Sequence, residues 1–139
     1  MKIRSLTRRS DFQKAYQTGR KLVGHYVVFY LLRGPDDARA VVASRKVGNA
    51  VARNRAKRLL REMMQAVIFE EPNRSTRITA CCPSGRRAAD ANDDNNHGAD
   101  QESCLWIVTV ARRAILDCDI HAVKAESLAM IEDLIGPGD

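Results

Sequence analysis

Seven cations and no acid lie between Ser44 and Arg61: Arg45, Lys46, Arg53, Arg55, Lys57, Arg58 and Arg61. The 139-residue chain carries 23 Lys+Arg against 17 Asp+Glu, a net charge of +6, so everything outside this stretch sums to minus one. The basicity is a local patch and not a general solubility device. Clustered guanidinium and ammonium groups suit phosphate, because neutralising a polyanion releases its condensed counterions. Wound as a helix at 100° per residue, the stretch places Ala52, Ala56, Leu59, Leu60, Met63, Met64 and Val67 on one stripe. Asn54, Arg55, Lys57, Arg58 and Arg61 fall on the other side, with Arg53 at the border.

Two features distinguish this from a merely solvated face. Solvated helices interleave acids at i±4, but the first acid after Arg53 is Glu62, leaving like charges at Arg53/Lys57 and Lys57/Arg61. Arg53 and Arg55 also fall in or near the first two turns, where the helix dipole disfavours cations by about 0.3–1 kcal/mol each. A bound phosphate reverses both penalties. Arginine offers planar forks for phosphate, and Asn54 between two arginines both donates and accepts, which favours RNA with its 2′-hydroxyls. Phe12, Tyr16 and Tyr30 offer a stacking surface for unpaired bases, worth about 1–3 kcal/mol per base. Taken alone, Phe12 reads first as an ordinary core aromatic.

Other chemistries find less support. A self-sufficient nuclease needs acid–base groups poised near neutral pH, yet His25, His97 and His121 share no motif. A two-metal nuclease needs clustered carboxylates on ordered structure, and most clustered Asp lies between 90 and 102 in a polar segment. Cys81 and Cys82 are adjacent while Cys104 and Cys118 stand alone, so zinc spacing is absent and free thiols are expected. The opening Met1-Lys2-Ile3-Arg4 leads into more arginine instead of an apolar signal, and no apolar run approaches a membrane span. A cytoplasmic protein is expected.

The length suits one domain over residues 1–139. Ser10-Asp11-Phe12-Gln13 has capping-box form and predicts a helix over about 11–18, projecting Phe12 and Tyr16 on one face. Tyr26 to Leu32 and Arg39 to Ser44, separated by Gly34-Pro35-Asp36-Asp37, read as an antiparallel hairpin. Gly48-Asn49 supplies a turn and N-cap before a helix running to about Phe69. Leu105 to Val110 is a third strand, and from Asp119 the apolar spacing predicts a closing helix stopped at Gly136-Pro137. The order αββαβα is that of an α+β domain. Between central helix and third strand, about 70–103 is polar and reads as a disordered insertion. Its second half holds Asp90, Asp93, Asp94, Asp100 and Glu102 with no Lys or Arg. This acidic run reads as a solvated insertion or as a weak competitor for the basic surface.

Ser44-Arg45-Lys46-Val47-Gly48-Asn49 followed by Arg53-Asn54-Arg55 and Lys57-Arg58-Leu59-Leu60-Arg61 closely resembles the signature of the bacterial ribonuclease P protein family. Ser10 to Tyr16 followed by Gly19, the Tyr30 strand, and Leu105 to Arg113 before a closing helix resemble that family in the same order. The resemblance covers nearly everything except 70–103, a longer connection than is usual in the family. It implies a ribosomal-protein-like α+β sandwich in which the central helix joins parallel strands by a left-handed crossover, against the usual hand. It implies a subunit of an endoribonuclease that matures tRNA 5′ ends, with no independent active site in the protein. Catalysis would belong to the ribonuclease P RNA with its bound Mg²⁺, the protein holding no metal cage. Arg53, Asn54, Arg55, Lys57, Arg58 and Arg61 would meet RNA and help organise metal near the cleavage site. Phe12, Tyr16 and Tyr30 would line a cleft for the precursor tRNA leader, with Arg45 and Lys46 at its basic rim. Neither sequence nor resemblance settles the protein's oligomeric state.

Overall fold

A computed structural model describes residues 4–83 and 104–136. Its elements are β1 (Arg4–Ser5), α1 (Arg9–Thr18), β2 (Arg20–Val23), β3 (Val27–Gly34), β4 (Ala38–Val42) and α2 (Ala50–Met64). A π-helical turn (Gln65–Phe69), α3 (Pro72–Cys81), β5 (Cys104–Ala111), a 3₁₀ turn (Arg113–Asp117) and α4 (Ile120–Ile135) follow. This is the α+β class that the patterning predicts, with β1, β2 and α3 in addition.

One five-stranded sheet runs in the order β1-β4-β5-β3-β2. The expected hairpin between β3 and β4 does not form: β5 enters between them, antiparallel to β3 and parallel to β4. Pro35 to Asp37 must therefore cross two strand spacings of about 4.8 Å each, within the reach of three extended residues. The acids of that connection hold the incoming strand. Asp37 Oδ1 accepts the Leu105 N–H at 3.0 Å, and Asp36 Oδ1 accepts the Trp106 indole N–H at 3.0 Å. Gly34 leaves room for the indole, since a Cβ there would lie 2.3 Å from Trp106 Nε1. The hairpin that does form joins β2 to β3.

β5 is apolar on both faces because helices cover both faces of the sheet. Val27, Phe29, Leu31, Leu105 and Ile107 share a core with Ala56, Leu60, Met63 and Met64 of α2, Ile78 of α3 and Val123 and Ile131 of α4. On the opposite face Leu32, Ala38, Ala40, Trp106 and Val108 pack with Leu6 and with Ala15 of α1. The predicted apolar stripe of α2 is thus the buried one, except that Ala52 and Leu59 are half-covered. The central helix reaches Phe69 as expected, but its last five residues widen to a π turn that buries Val67 and Ile68.

Asn49 Oδ1 accepts the Ala52 N–H at 2.9 Å and Asp119 Oδ1 accepts the Ala122 N–H at 3.0 Å, so α2 and α4 begin at the caps their sequences announce. The capping box at Ser10 is not realised: α1 starts at Arg9, and Arg8 precedes it without a side-chain cap. The expectation of disorder from about 70 also fails at its start. Pro72–Cys81 is a helix, anchored by the fully buried Ile78 and by Cys82. Small and polar residues otherwise make up this helix, which hides it from a search for apolar periodicity. The acidic run from Asp90 to Glu102 lies outside the described residues.

Candidate nucleic-acid interface

The basic residues of α2 keep the sides that helical winding assigns them. Asn54, Arg55, Arg58 and Arg61 are exposed, and Arg53 and Lys57 are half-buried at the border with the core stripe. None of the seven cations between Ser44 and Arg61 forms an ion pair with a described residue. Arg53 Nε is buried with no hydrogen-bond partner among the described residues, although buried polar groups ordinarily have one. The first turn of α2 holds no acid, so nothing from the helix itself offsets these charges against the dipole.

Phe12, Tyr16 and Tyr30 form a continuous aromatic row. Phe12 and Tyr16, on α1, have ring centroids 6.3 Å apart, and Tyr16 meets Tyr30 of β3 edge to face at 4.8 Å. Tyr16 is 41 % exposed, while Phe12 and Tyr30 are half-buried. Burial, and then the neighbouring Tyr30, push the Tyr16 phenol above its ordinary value, which keeps it a neutral donor. The Lys21 ammonium lies 5.8 Å from the centre of the Tyr30 ring. Beside Tyr30 the same sheet face carries Val28, Val42 and Val110, half-buried and in register across β3, β4 and β5.

The fold does not gather all predicted residues on one surface. The aromatic row belongs to the face under α1, and the basic helix covers the other. Arg45 and Lys46 are exposed in the turn that leads from β4 into α2, where one face passes into the other. Ser44 shapes that turn by accepting the Lys46 N–H on Oγ and the Val47 N–H on its carbonyl. Gly48 closes it at a φ of +151°, and a Cβ there would press on Ala52 Cβ at 3.0 Å.

Arg112 and Arg113 are exposed cations that the sequence reading left unassigned. Arg112 donates to the Gly24 carbonyl at 2.9 Å, fixing the β2–β3 turn, and Arg113 opens the 3₁₀ turn packed against α2. Their signal was two adjacent arginines directly after an apolar strand. Among the described residues no three His, Cys, Asp or Glu side chains converge as metal ligands. His25 and His121 are exposed, in the β2–β3 turn and the first turn of α4, and His97 lies outside the described residues. No disulfide joins any of the four cysteines, and no described helix is long and apolar enough to cross a membrane.

Comparison with known proteins places this geometry in a family. The model of the family described as Ribonuclease P matches residues 1–97. The ribonuclease P protein component of Carboxydothermus hydrogenoformans is 34% identical over 73 residues, which cover 50% of this chain and 63% of that protein. The chain therefore spans less than two thirds of that relative's length. The ribonuclease P protein component of Acidothermus cellulolyticus is 34% identical over 88 residues, 60% of this chain and 73% of that one. Among solved structures, the RNase P protein of Staphylococcus aureus has the same fold, with a TM-score of 0.63 at 18% identity over 97% of this chain and 100% of that chain. The chain belongs to the Ribonuclease P family, that of the bacterial ribonuclease P protein component.

Proposed function

We propose that this chain is the protein subunit of ribonuclease P, binding the catalytic RNA and the 5′ leader of precursor tRNA so that the leader is removed endonucleolytically. The observation that carries this reading is the run of seven cations without an acid from Ser44 to Arg61, which form no ion pair among the described residues and lie outside the core stripe of α2. Arg53, Asn54, Arg55, Lys57, Arg58 and Arg61 bind the RNA subunit through phosphate and 2′-hydroxyl contacts. Phe12, Tyr16 and Tyr30 receive unpaired leader bases, and Arg45 and Lys46 neutralise the backbone as it passes the rim. Catalysis resides in the RNA, which also holds the Mg²⁺; the protein contributes charge and position. The working compartment is the cytoplasm, where precursor tRNA is made.

The test is precursor-tRNA cleavage at low Mg²⁺ by bacterial ribonuclease P RNA with and without the protein, beside the protein alone. Leader release stimulated by the protein, and none without RNA, supports the subunit role. Cleavage by the protein alone makes it a nuclease. Tight RNA binding without stimulation makes it a ribosomal or chaperone-type RNA binder.

A further inference from the structure

β1 pairs with β4 only at Ala38 and Arg39, so among the described residues no strand covers the outer edge of β4 from Ala40 onward. Leu6 takes the last bond on this side, donating its N–H to the Arg39 carbonyl at 3.0 Å. Main-chain groups alternate sides along a parallel strand, so the next outward-facing pair belongs to Val41. A cavity of about 180 Å³ opens there, lined by Ser5, Leu6, Phe12, Arg39, Val41 and Arg61 among others. Leu6 and Phe12 belong to the face under α1, and Arg39, beside Gln65 and Phe69, to the face under α2. The notch is thus lined from both faces of the sheet, with Phe12 of the aromatic row and Arg61 of the basic helix in its wall.

Its chemistry is that of a single nucleotide. Leu6 and the Phe12 ring give an apolar wall for a base, and the Val41 main chain and the Ser5 hydroxyl give donors and acceptors for its edge. Neither Arg39 nor Arg61 has a carboxylate partner among the described residues, and Arg39, which donates one Nη1–H to Gln65 Oε1 at 3.4 Å, has further donors for a phosphate. Strand addition by a peptide needs a run of open main-chain groups. Here one residue's pair is open before β4 ends at Val42. The volume, below the roughly 300–1,000 Å³ usual for whole small-molecule ligands, takes a base and leaves ribose and phosphate at the mouth.

We infer that this notch is a subsite for one unpaired nucleotide of the precursor leader, its base against Phe12 and Leu6 and its phosphate on Arg39. The inference rests on the leader-binding role proposed above and adds Arg39, with Leu6 and the Val41 main chain, to the Phe12 end of the aromatic row.

The experiment measures affinities of the reconstituted holoenzyme for precursor tRNAs with leaders of increasing length, and for mature tRNA, with wild-type protein, R39Q and R39K. The expected wild-type profile includes a step of about tenfold at one leader length, the order expected for one stacked base and one phosphate contact. R39Q lacks that step and matches wild type at shorter leaders, and R39K recovers only part of it, having charge without the planar fork. Identical profiles for wild type and R39Q overturn the inference. So does an equal loss at every length including mature tRNA, which would make Arg39 a contact for the RNA subunit. A shift of R39Q in sedimentation relative to wild type would instead make the edge a protein–protein contact. Should wild type itself fail to prefer precursor over mature tRNA, the leader reading falls with it. Matching thermal melts of the three proteins separate these outcomes from misfolding.

Discussion

Tyr16 and Tyr30 stand edge to face with ring centroids 4.8 Å apart, although one is carried by α1 and the other by β3 on the sheet beneath it. The pair couples the helix to the sheet and leaves Tyr16 41 % exposed for a further stacking partner. Replacing Tyr16 by Ala is expected to weaken precursor-tRNA binding by about 1–3 kcal/mol, the range for loss of one stacked base. Affinity for mature tRNA should stay near the wild-type value. The ratio of the two affinities, measured on the holoenzyme, checks this.

Arg58 is exposed in the middle of the basic face and far from the core stripe. Its replacement by Ala should lower affinity for the ribonuclease P RNA without changing thermal stability by more than about 0.5 kcal/mol. Removing one phosphate contact should reduce the slope of log affinity against log salt by about 1. Titrations at several salt concentrations read that slope directly, and an unchanged slope would remove Arg58 from the interface.

Asp36 ties three elements together: Arg4 Nε donates to its Oδ2 at 2.6 Å and the Trp106 indole to its Oδ1 at 3.0 Å. The Arg4 hydrogen bond, with the indole assisting, holds the Asp36 carboxyl below its ordinary range despite some burial. A depressed carboxyl contributes stability that is present above the unfolded value of about 3.9 and is lost as pH falls through the folded value. Asp36→Asn should therefore be less stable than wild type at pH 7, and the gap should close below about pH 4. The pair is exposed to solvent, so the gap at pH 7 should be about 1 kcal/mol or less. Asp36→Ala should cost about 1–3 kcal/mol more, since it leaves the indole N–H of a nearly buried tryptophan without its acceptor. Urea denaturation at the two pH values measures both effects.

Cys81 is exposed at the end of α3, whereas its neighbour Cys82 is buried and donates its thiol to the Ile78 carbonyl at 3.0 Å. Burial, with Cys81 adding to it, pushes the Cys82 thiol up to about 12. A maleimide reagent at pH 7 should label Cys81 in the native protein and reach Cys82 only on unfolding, because the thiolate is the reacting form. Peptide mapping after brief labelling distinguishes the two positions.

The basic face was legible because its two signals agree: seven cations with no acid from Ser44 to Arg61, and apolar residues at helical spacing from Ala52 to Val67. The Asn49 and Asp119 caps and strand β5 were legible for similar local reasons. Strand order was not. Gly34-Pro35-Asp36-Asp37 has turn chemistry for a tight hairpin and for a wider connection alike, and only the arrival of β5 decides between them. α3 was hidden because Ile78 is its one large apolar residue and the rest is polar or small. β1 and β2 were missed as short, charged edge strands, the composition that keeps edges from pairing with other chains. The separation of aromatic row and basic helix onto opposite faces follows from strand order, so it was hidden with it.

Because β5 seats itself between β3 and β4, the middle of the sheet is filled by the last strand of the chain to be made. Phe12, Tyr16, Tyr30 and the whole basic stretch to Arg61 emerge before the strand at 104–111 that closes the sheet and gives α2 its floor. Without β5, β3 and β4 each lack the neighbour that their inner edges bond to, and Leu105 and Ile107 are missing from the core on which α2 packs. The basic stretch and the aromatic row are thus complete in sequence before the sheet that displays them can close. The pairing that completes that sheet is non-local, the kind that forms slowly.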